Sequence, residues 1–285
     1  MRGKTVLVTG GNSGIGKETA IALATMGANV VVTSRDPAKG KAAAEEMKAR
    51  AGVEVPCLAL DLASFASIRN FAQEFLAKYD ALHVLVLNAG LVLSERTETK
   101  EGFETTFGVN HLGHFLLTDL LRERLVASAP SRIVVVSSDA HRRAKKGLAF
   151  DDLQRNKKYS GMDAYCESKL ANIYFARELA RRLEGTKVTV NSLHPGVIAT
   201  GFAAADDVKG PIAWLFKLGR PFFRTPTQGA QTSIFLASSP AVEGVTGKYF
   251  DSDAREVHPT RIAQDDGAAK RLWSLSEELI ARGRP

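Results

Sequence analysis

Short runs of β-branched and aliphatic residues recur along the chain at Thr5 to Thr9, Asn29 to Ser34, Val55 to Leu60, Val84 to Asn88, Ile133 to Ser137 and Val188 to Leu193. The apolar positions in these runs are largely continuous, which predicts strands buried on both faces of a parallel sheet. Between them apolar positions recur at helical spacing, predicting helices at about Gly14 to Met26, Pro37 to Arg50, Phe65 to Tyr79, Gly102 to Ala127 and Met162 to Leu183. A last strand at about Gly247 to Phe250 and a charged helix at about Ala268 to Arg282 follow. Strands alternating with helices predict an α/β fold, a doubly wound parallel sheet with helices on both faces. The alternation runs through all 285 residues, so 1–285 is expected to form one domain. Only residues 201–226 break the pattern.

Composition excludes several classes. Cys57 and Cys166 both lie in apolar segments and read as buried thiols, which fits a reducing, cytoplasmic setting. A core strand already begins at Thr5, and no apolar run is long enough to span a bilayer. The net charge of +7 is spread over predicted helix faces, with no aromatic-interleaved basic stripe, so nucleic acid is not an expected partner. A basic surface does favour anionic ligands, and a phosphorylated dinucleotide is one.

The first strand runs into a glycine-rich turn holding Gly10, Asn12, Ser13, Gly14, Ile15 and Gly16, directly before the first helix. Glycines there permit a tight turn and bring backbone amides and the helix dipole against a pyrophosphate. This is the dinucleotide position of a Rossmann sheet of about seven strands, with expected order 3-2-1-4-5-6-7. The second strand ends in Ser34 and Arg35, where an NAD site places an acidic group; arginine suits a 2′-phosphate, so NADP(H) is favoured over NAD(H). Asp36, immediately before Pro37, reads as a helix cap. Asp61 with Leu62, and Asn88 with Ala89 and Gly90, end the third and fourth strands where adenine and ribose contacts are expected; capping of the next helix is the competing reading of Asp61.

Tyr165 precedes Lys169 by one helical turn, so the two share a face, and a neighbouring ammonium favours the phenolate that proton transfer to or from a carbonyl oxygen requires. Ser137 and Ser138 end the fifth strand facing opposite ways, and Ser138 is the candidate for the ligand crevice. The run Ser138, Asp139, Ala140, His141 has no nucleophile elbow, which removes the hydrolase reading. His111 and His114 flank Asn110 without further ligands nearby, so they read as packing or polar groups at the helix surface, and no metal site is expected. Cys166 reads as a packed thiol turned away from Tyr165.

Taken together these motifs resemble the short-chain dehydrogenase/reductase family from Lys4 to the final helix. The resemblance implies that Tyr165 exchanges the proton, Lys169 binds the nicotinamide ribose and lowers the phenol pKa, Ser138 polarises the carbonyl, and Asn110 holds a proton-relay water. It also implies that Pro195, Gly196, Val197 and Thr200 cover the nicotinamide, and that copies of the chain form a homodimer through the fourth and fifth helices. Leu87 stands where many relatives carry a second asparagine. Gly16 to Ala20, Asn110 to Phe115, Ala164 to Asn172 and Thr225 to Gln231 are similar to the retinol dehydrogenase-like branch, in which arginine after the second strand goes with NADP(H).

Residues 201–226 carry Trp214, Phe216, Phe222 and Phe223 among Lys209, Lys217, Arg220 and Arg224, and are expected to form a lid over an apolar aldehyde, ketone, retinoid or lipid-like substrate. The same composition suits an interfacial helix on an anionic membrane, the competing reading. Residues 142–146 are basic and read as solvated surface. Reversible hydride transfer is the expected activity; a dinucleotide-sensing regulator and an NAD-dependent alcohol dehydrogenase are the alternatives.

Overall fold

The computed structural model describes residues 1–197 and 224–284. Thr200 and residues 201–223 of the expected lid lie outside the described residues.

Among the described residues eight strands form one sheet: β1 (Thr5–Val8), β2 (Asn29–Ser34), β3 (Cys57–Ala59), β4 (Val84–Leu87), β5 (Ser131–Val136), β6 (Val188–Leu193), β7 (Tyr249–Phe250) and β8 (Glu256–Val257). Their order is β3-β2-β1-β4-β5-β6-β7-β8. The first seven follow the expected parallel order, and β8 adds an antiparallel edge paired with β7. The third strand is shorter than expected, because Pro56 accepts from the Val32 amide but has no N–H to return to the ladder.

Successive strand residues supply opposite cores. Val6 and Val8 of β1, Val30 and Val32 of β2, and Val84 and Val86 of β4 pack with α1 (Gly14–Thr25), α2 (Pro37–Ala51) and α7 (Pro226–Ser238). Leu7, Val31, Leu85, Ile133 and Val135 face α3 (Phe65–Lys78), α5 (Gly113–Ala127), α6 (Gly161–Arg182) and α8 (Asp266–Arg282). Two apolar faces per strand are why the sequence reads as unbroken runs.

The helix expected from Gly102 starts later and is not uniform. The Glu104 carboxylate accepts from the Thr106 and Phe107 amides and caps α4 (Thr105–Phe107). A π turn over Gly108–Leu112 follows before α5. Such one-residue expansions are often found at functional sites, and this one carries Asn110.

Candidate active site

The strand order reverses between β1 and β4, and the residues after their carboxyl ends are tied together. Asn88 Nδ2 donates to the carbonyls of Thr9 (2.8 Å) and Gly10 (3.3 Å). Thr9 Oγ1 accepts from the amides of Asn88 (2.9 Å) and Ala89 (3.1 Å). Gly10 and Gly14 adopt left-handed φ of +62° and +55°. A Cβ at Gly16 would lie 2.4 Å from Asn88 Nδ2 and 2.6 Å from the Gly10 carbonyl, so only glycine lets helix and turn meet.

The start of α1 differs from those of α2, α3, α6, α7 and α8, while α5 continues directly from the π turn. Asp36, Ser64, Ser160, Thr225 and Asp265 cap α2, α3, α6, α7 and α8 through their side chains, whereas Ser13 makes no capping hydrogen bond at α1. The first amides of α1 therefore have no side-chain cap from Ser13, and an uncapped helix start after a glycine-rich turn fits a pyrophosphate.

Arg35 follows β2 as an exposed cation with no hydrogen bond or ion pair among the described residues. Asp36 is committed elsewhere, accepting from the Ala38 and Lys39 amides. Ser34 is buried, with its hydroxyl closed on the Asp36 backbone and its carbonyl accepting from the Leu60 amide. Asp61 Oδ1 accepts from the Ala63 amide at 3.0 Å; the cap of α3 is Ser64, so Asp61 closes the preceding turn instead. Leu62 is buried, and its carbonyl lies 2.5 Å from where a Cβ at Gly113 would be.

Ser138, Tyr165, Lys169 and Asn110 come together at the ends of β4 and β5. The two serines divide as their alternation implies: Ser137 Oγ donates to the Lys169 carbonyl (2.6 Å), and the Ser138 hydroxyl is bonded to the Tyr165 phenol. Lys169 Nζ donates to the Val136 carbonyl at 3.2 Å and lies 5.7 Å from the Tyr165 ring centre. Burial pushes Tyr165 up to about 12, against a lowering by the Ser138 bond, and pushes Lys169 down to about 8. The Asn110 amide is committed on three sides, accepting from Leu91 N (2.8 Å) and donating to Leu91 O and Ser168 Oγ (both 2.9 Å). Gly90 fits between Asn110 and Lys169, its ideal Cβ position 3.2 Å from Lys169 Nζ and 3.3 Å from Asn110 Oδ1.

A family model described as enoyl-(acyl carrier protein) reductase matches residues 10–254. Human retinol dehydrogenase 14 is 46% identical, covering 98% of this chain and 87% of its own length. Human retinol dehydrogenase 12 is 47% identical, covering 98% and 86%. The chain belongs to the short-chain dehydrogenase/reductase family. It is therefore an oxidoreductase, of a family that works with NAD(P) dinucleotides. Among solved short-chain dehydrogenase/reductase folds, an uncharacterised protein from Mycobacterium paratuberculosis has 34% identity and a TM-score of 0.77, with 98% of this chain and 93% of that one covered. A Beutenbergia cavernae protein described as an NAD(P)-dependent gluconate 5-dehydrogenase, with NADP bound at low occupancy, has 28% identity and a TM-score of 0.69 over 89% and 96%.

In this short-chain dehydrogenase/reductase Pro195, Gly196 and Val197 follow β6 on the same side of the sheet as Ser138, with Gly196 at φ +83°. The Val197 carbonyl accepts from the Arg224 amide. Residues 142, 143, 145 and 146 are exposed, as their charge implies. No group of three or more His, Cys, Asp or Glu among the described residues could hold a metal ion.

Three placements refine the sequence reading. His111 and His114 are buried, which makes them packing groups and not polar groups at the helix surface. α8 covers that face: His111 packs among Phe107, Phe115 and Phe175 and bonds Ser276 at 2.8 Å, while His114 turns inward to Thr9. Cys166 is buried as expected, but Cys57 is only half-buried, because β3 is the edge strand. The site also contains His141, whose Nδ1 lies 2.7 Å from the Ser138 carbonyl; its sequence neighbours concealed that it faces back toward the serine.

Proposed function

We propose that this protein is an NADP(H)-dependent carbonyl reductase and alcohol dehydrogenase for apolar substrates, with Tyr165 as the acid–base group. The observation that carries the reading is the hydrogen bond between Ser138 and Tyr165 with Lys169 beside it. A bound dinucleotide supplies or accepts the hydride. Ser138 Oγ accepts from the Ala140 amide and bonds the Tyr165 phenol, so a bound substrate oxygen would take the Ser138 proton in place of that phenol. Tyr165, held protonated by burial, gives its proton to that oxygen as a carbonyl is reduced, and takes it back in alcohol oxidation. Lys169, largely charged at neutral pH, supports the phenolate formed and contacts the ribose.

Three features support the finer reading. The unpartnered Arg35 suits a 2′-phosphate, and the acidic neighbour that would oppose it is occupied as a cap. The retinol dehydrogenase names of the relatives, together with the aromatic composition of residues 201–226, favour an apolar alcohol or carbonyl. No described helix is long and apolar enough to cross a membrane; the basic and aromatic residues of 201–226 suit contact with a membrane surface during delivery of such a substrate.

The test follows NADPH and NADH consumption against apolar aldehydes and ketones, retinal included, with Tyr165→Phe as control. Tyrosine-dependent turnover that prefers NADPH is expected. Tight dinucleotide binding without turnover on any substrate favours a regulator instead.

A further inference from the structure

His114 is buried on α5 between the two halves of the site, and its ring touches both. Nε2 lies 2.9 Å from Thr9 Oγ1, and Nδ1 lies 3.2 Å from the Asn110 carbonyl. Counting donors fixes the tautomer. Thr9 Oγ1 accepts from the Asn88 and Ala89 amides, which fills its two lone pairs. Its single proton has two acceptors in reach, the Val86 carbonyl at 3.4 Å and His114 Nε2 at 2.9 Å, and the shorter contact is the imidazole. Nε2 is then an acceptor, the ring proton sits on Nδ1, and Nδ1 donates to the one acceptor it meets among the described residues, the Asn110 carbonyl. A charged ring would set two proton donors against Thr9, so the neutral form is the one that fits. Burial, with the Lys169 charge nearby, pushes the ring down to about 4 in agreement.

We propose that His114 is a positioning residue: a neutral, Nδ1-protonated bridge from Thr9 to Asn110 that fixes the dinucleotide-binding turn relative to the π turn beside Lys169. This rests on the proposed function, because it gives the bridge a purpose in cofactor binding and hydride transfer. Thr9 holds Asn88 and Ala89, and Asn88 in turn holds the Gly10 carbonyl, so a shift at His114 reaches the turn through three hydrogen bonds. On its other side Asn110 clamps Leu91 and Ser168, one residue from Lys169. His111, one turn earlier, has no part in this, since its bond runs to Ser276 on α8.

The first measurement is the ¹⁵N spectrum of the histidine rings at neutral pH, assigned with His114→Gln. An Nδ1-protonated, uncharged His114 is expected, and NADPH should shift its ring signals. An Nε2-protonated or charged ring overturns the bridge whatever the enzyme's substrate is. The second compares His114→Phe, His114→Gln and His114→Asn for melting temperature, NADPH affinity and kcat. His114→Phe fills the space without either bond; kcat should fall by up to about 100-fold, as for a displacement on the order of 1 Å. NADPH affinity should weaken in the same folded protein. Gln reaches the Nε2 position and Asn the Nδ1 position, so each should recover part of the loss. A lower melting temperature with unchanged affinity and kcat in all three would reduce His114 to a packing residue. If the wild type turns over no substrate, the spectrum and the NADPH affinities still decide the bridge while the proposed activity fails separately.

Discussion

Lys169 Nζ lies 5.7 Å from the centre of the Tyr165 ring while donating to the Val136 carbonyl, and burial drives the two groups past each other, the phenol up and the ammonium down. Without dinucleotide the pair is therefore neutral between about 8 and about 12. A ligand that placed negative charge near the ammonium would favour its charged form and raise Lys169 from about 8.

This gives a stability signature. The folded protein releases the Lys169 proton at about 8, whereas the unfolded chain holds it to its ordinary 10.5. Between those values the unfolded state binds more protons, so the Lys169 contribution to stability rises with pH across that window, by up to about 3 kcal/mol. Denaturant unfolding of the dinucleotide-free protein at pH 7 to 10.5, against Lys169→Met, isolates that contribution. Parallel curves for the two proteins would mean that Lys169 titrates normally.

Tyr165→Phe keeps the ring and its packing while removing the proton donor. Turnover should fall by about 10²–10⁴-fold or more, with NADPH affinity changed little. Ser138→Ala removes one donor to the substrate oxygen and should lower kcat by about 10²–10³-fold, by analogy with loss of an oxyanion donor. Steady-state kinetics with equilibrium dinucleotide binding separate these outcomes. A Tyr165→Phe protein that turns over at near wild-type rate would remove the assigned role.

Gly16→Ala adds a Cβ where Asn88 Nδ2 and the Gly10 carbonyl already stand, at 2.4 and 2.6 Å. Neither neighbour is a free side-chain end, because Asn88 is bonded to Thr9 and Gly10. The substitution should cost about 1–3 kcal/mol of stability as overpacking and weaken dinucleotide binding beyond that. Gly52→Ala is the control: it meets nothing within 4 Å and carries only the strain of its φ of +74°. Thermal melts with and without NADPH distinguish them, and equal NADPH protection of Gly16→Ala and wild type would exclude Gly16 from the binding turn.

Much of this was legible in the chain because local chemistry determined it. Val30 and Val31 face opposite cores, so a buried parallel strand leaves a continuous apolar run in the sequence. Asp36 before Pro37 announces a capped helix, and the cap is there. The parts that escaped depend on distant residues. β8 is a two-residue edge with no periodicity of its own. The π turn adds no mark to the apolar spacing around Asn110, and His114 finds Thr9 across 105 positions of sequence. His111 is buried by α8 through Ser276 and His114 by its inward contact with Thr9, and no window around residue 114 contains either partner.

Arg35 carries the cofactor preference, and a charge reversal there tests it directly. The guanidinium is exposed and has no hydrogen bond or ion pair among the described residues, so replacing it disturbs no contact of the fold. Asp36 does not compensate, because its carboxylate is bonded to the Ala38 and Lys39 amides. Arg35→Asp should therefore raise KM for NADPH by about 10–100-fold through loss of a charge-assisted contact worth about 1.5–3 kcal/mol and the repulsion that replaces it. KM for NADH should stay level or fall, since the new carboxylate can accept from the ribose hydroxyls. The ratio of kcat/KM for the two dinucleotides, wild type against variant, reads the effect at fixed ionic strength, and it should narrow as salt is added. An equal loss for both cofactors would assign Arg35 to the turn and not to the phosphate.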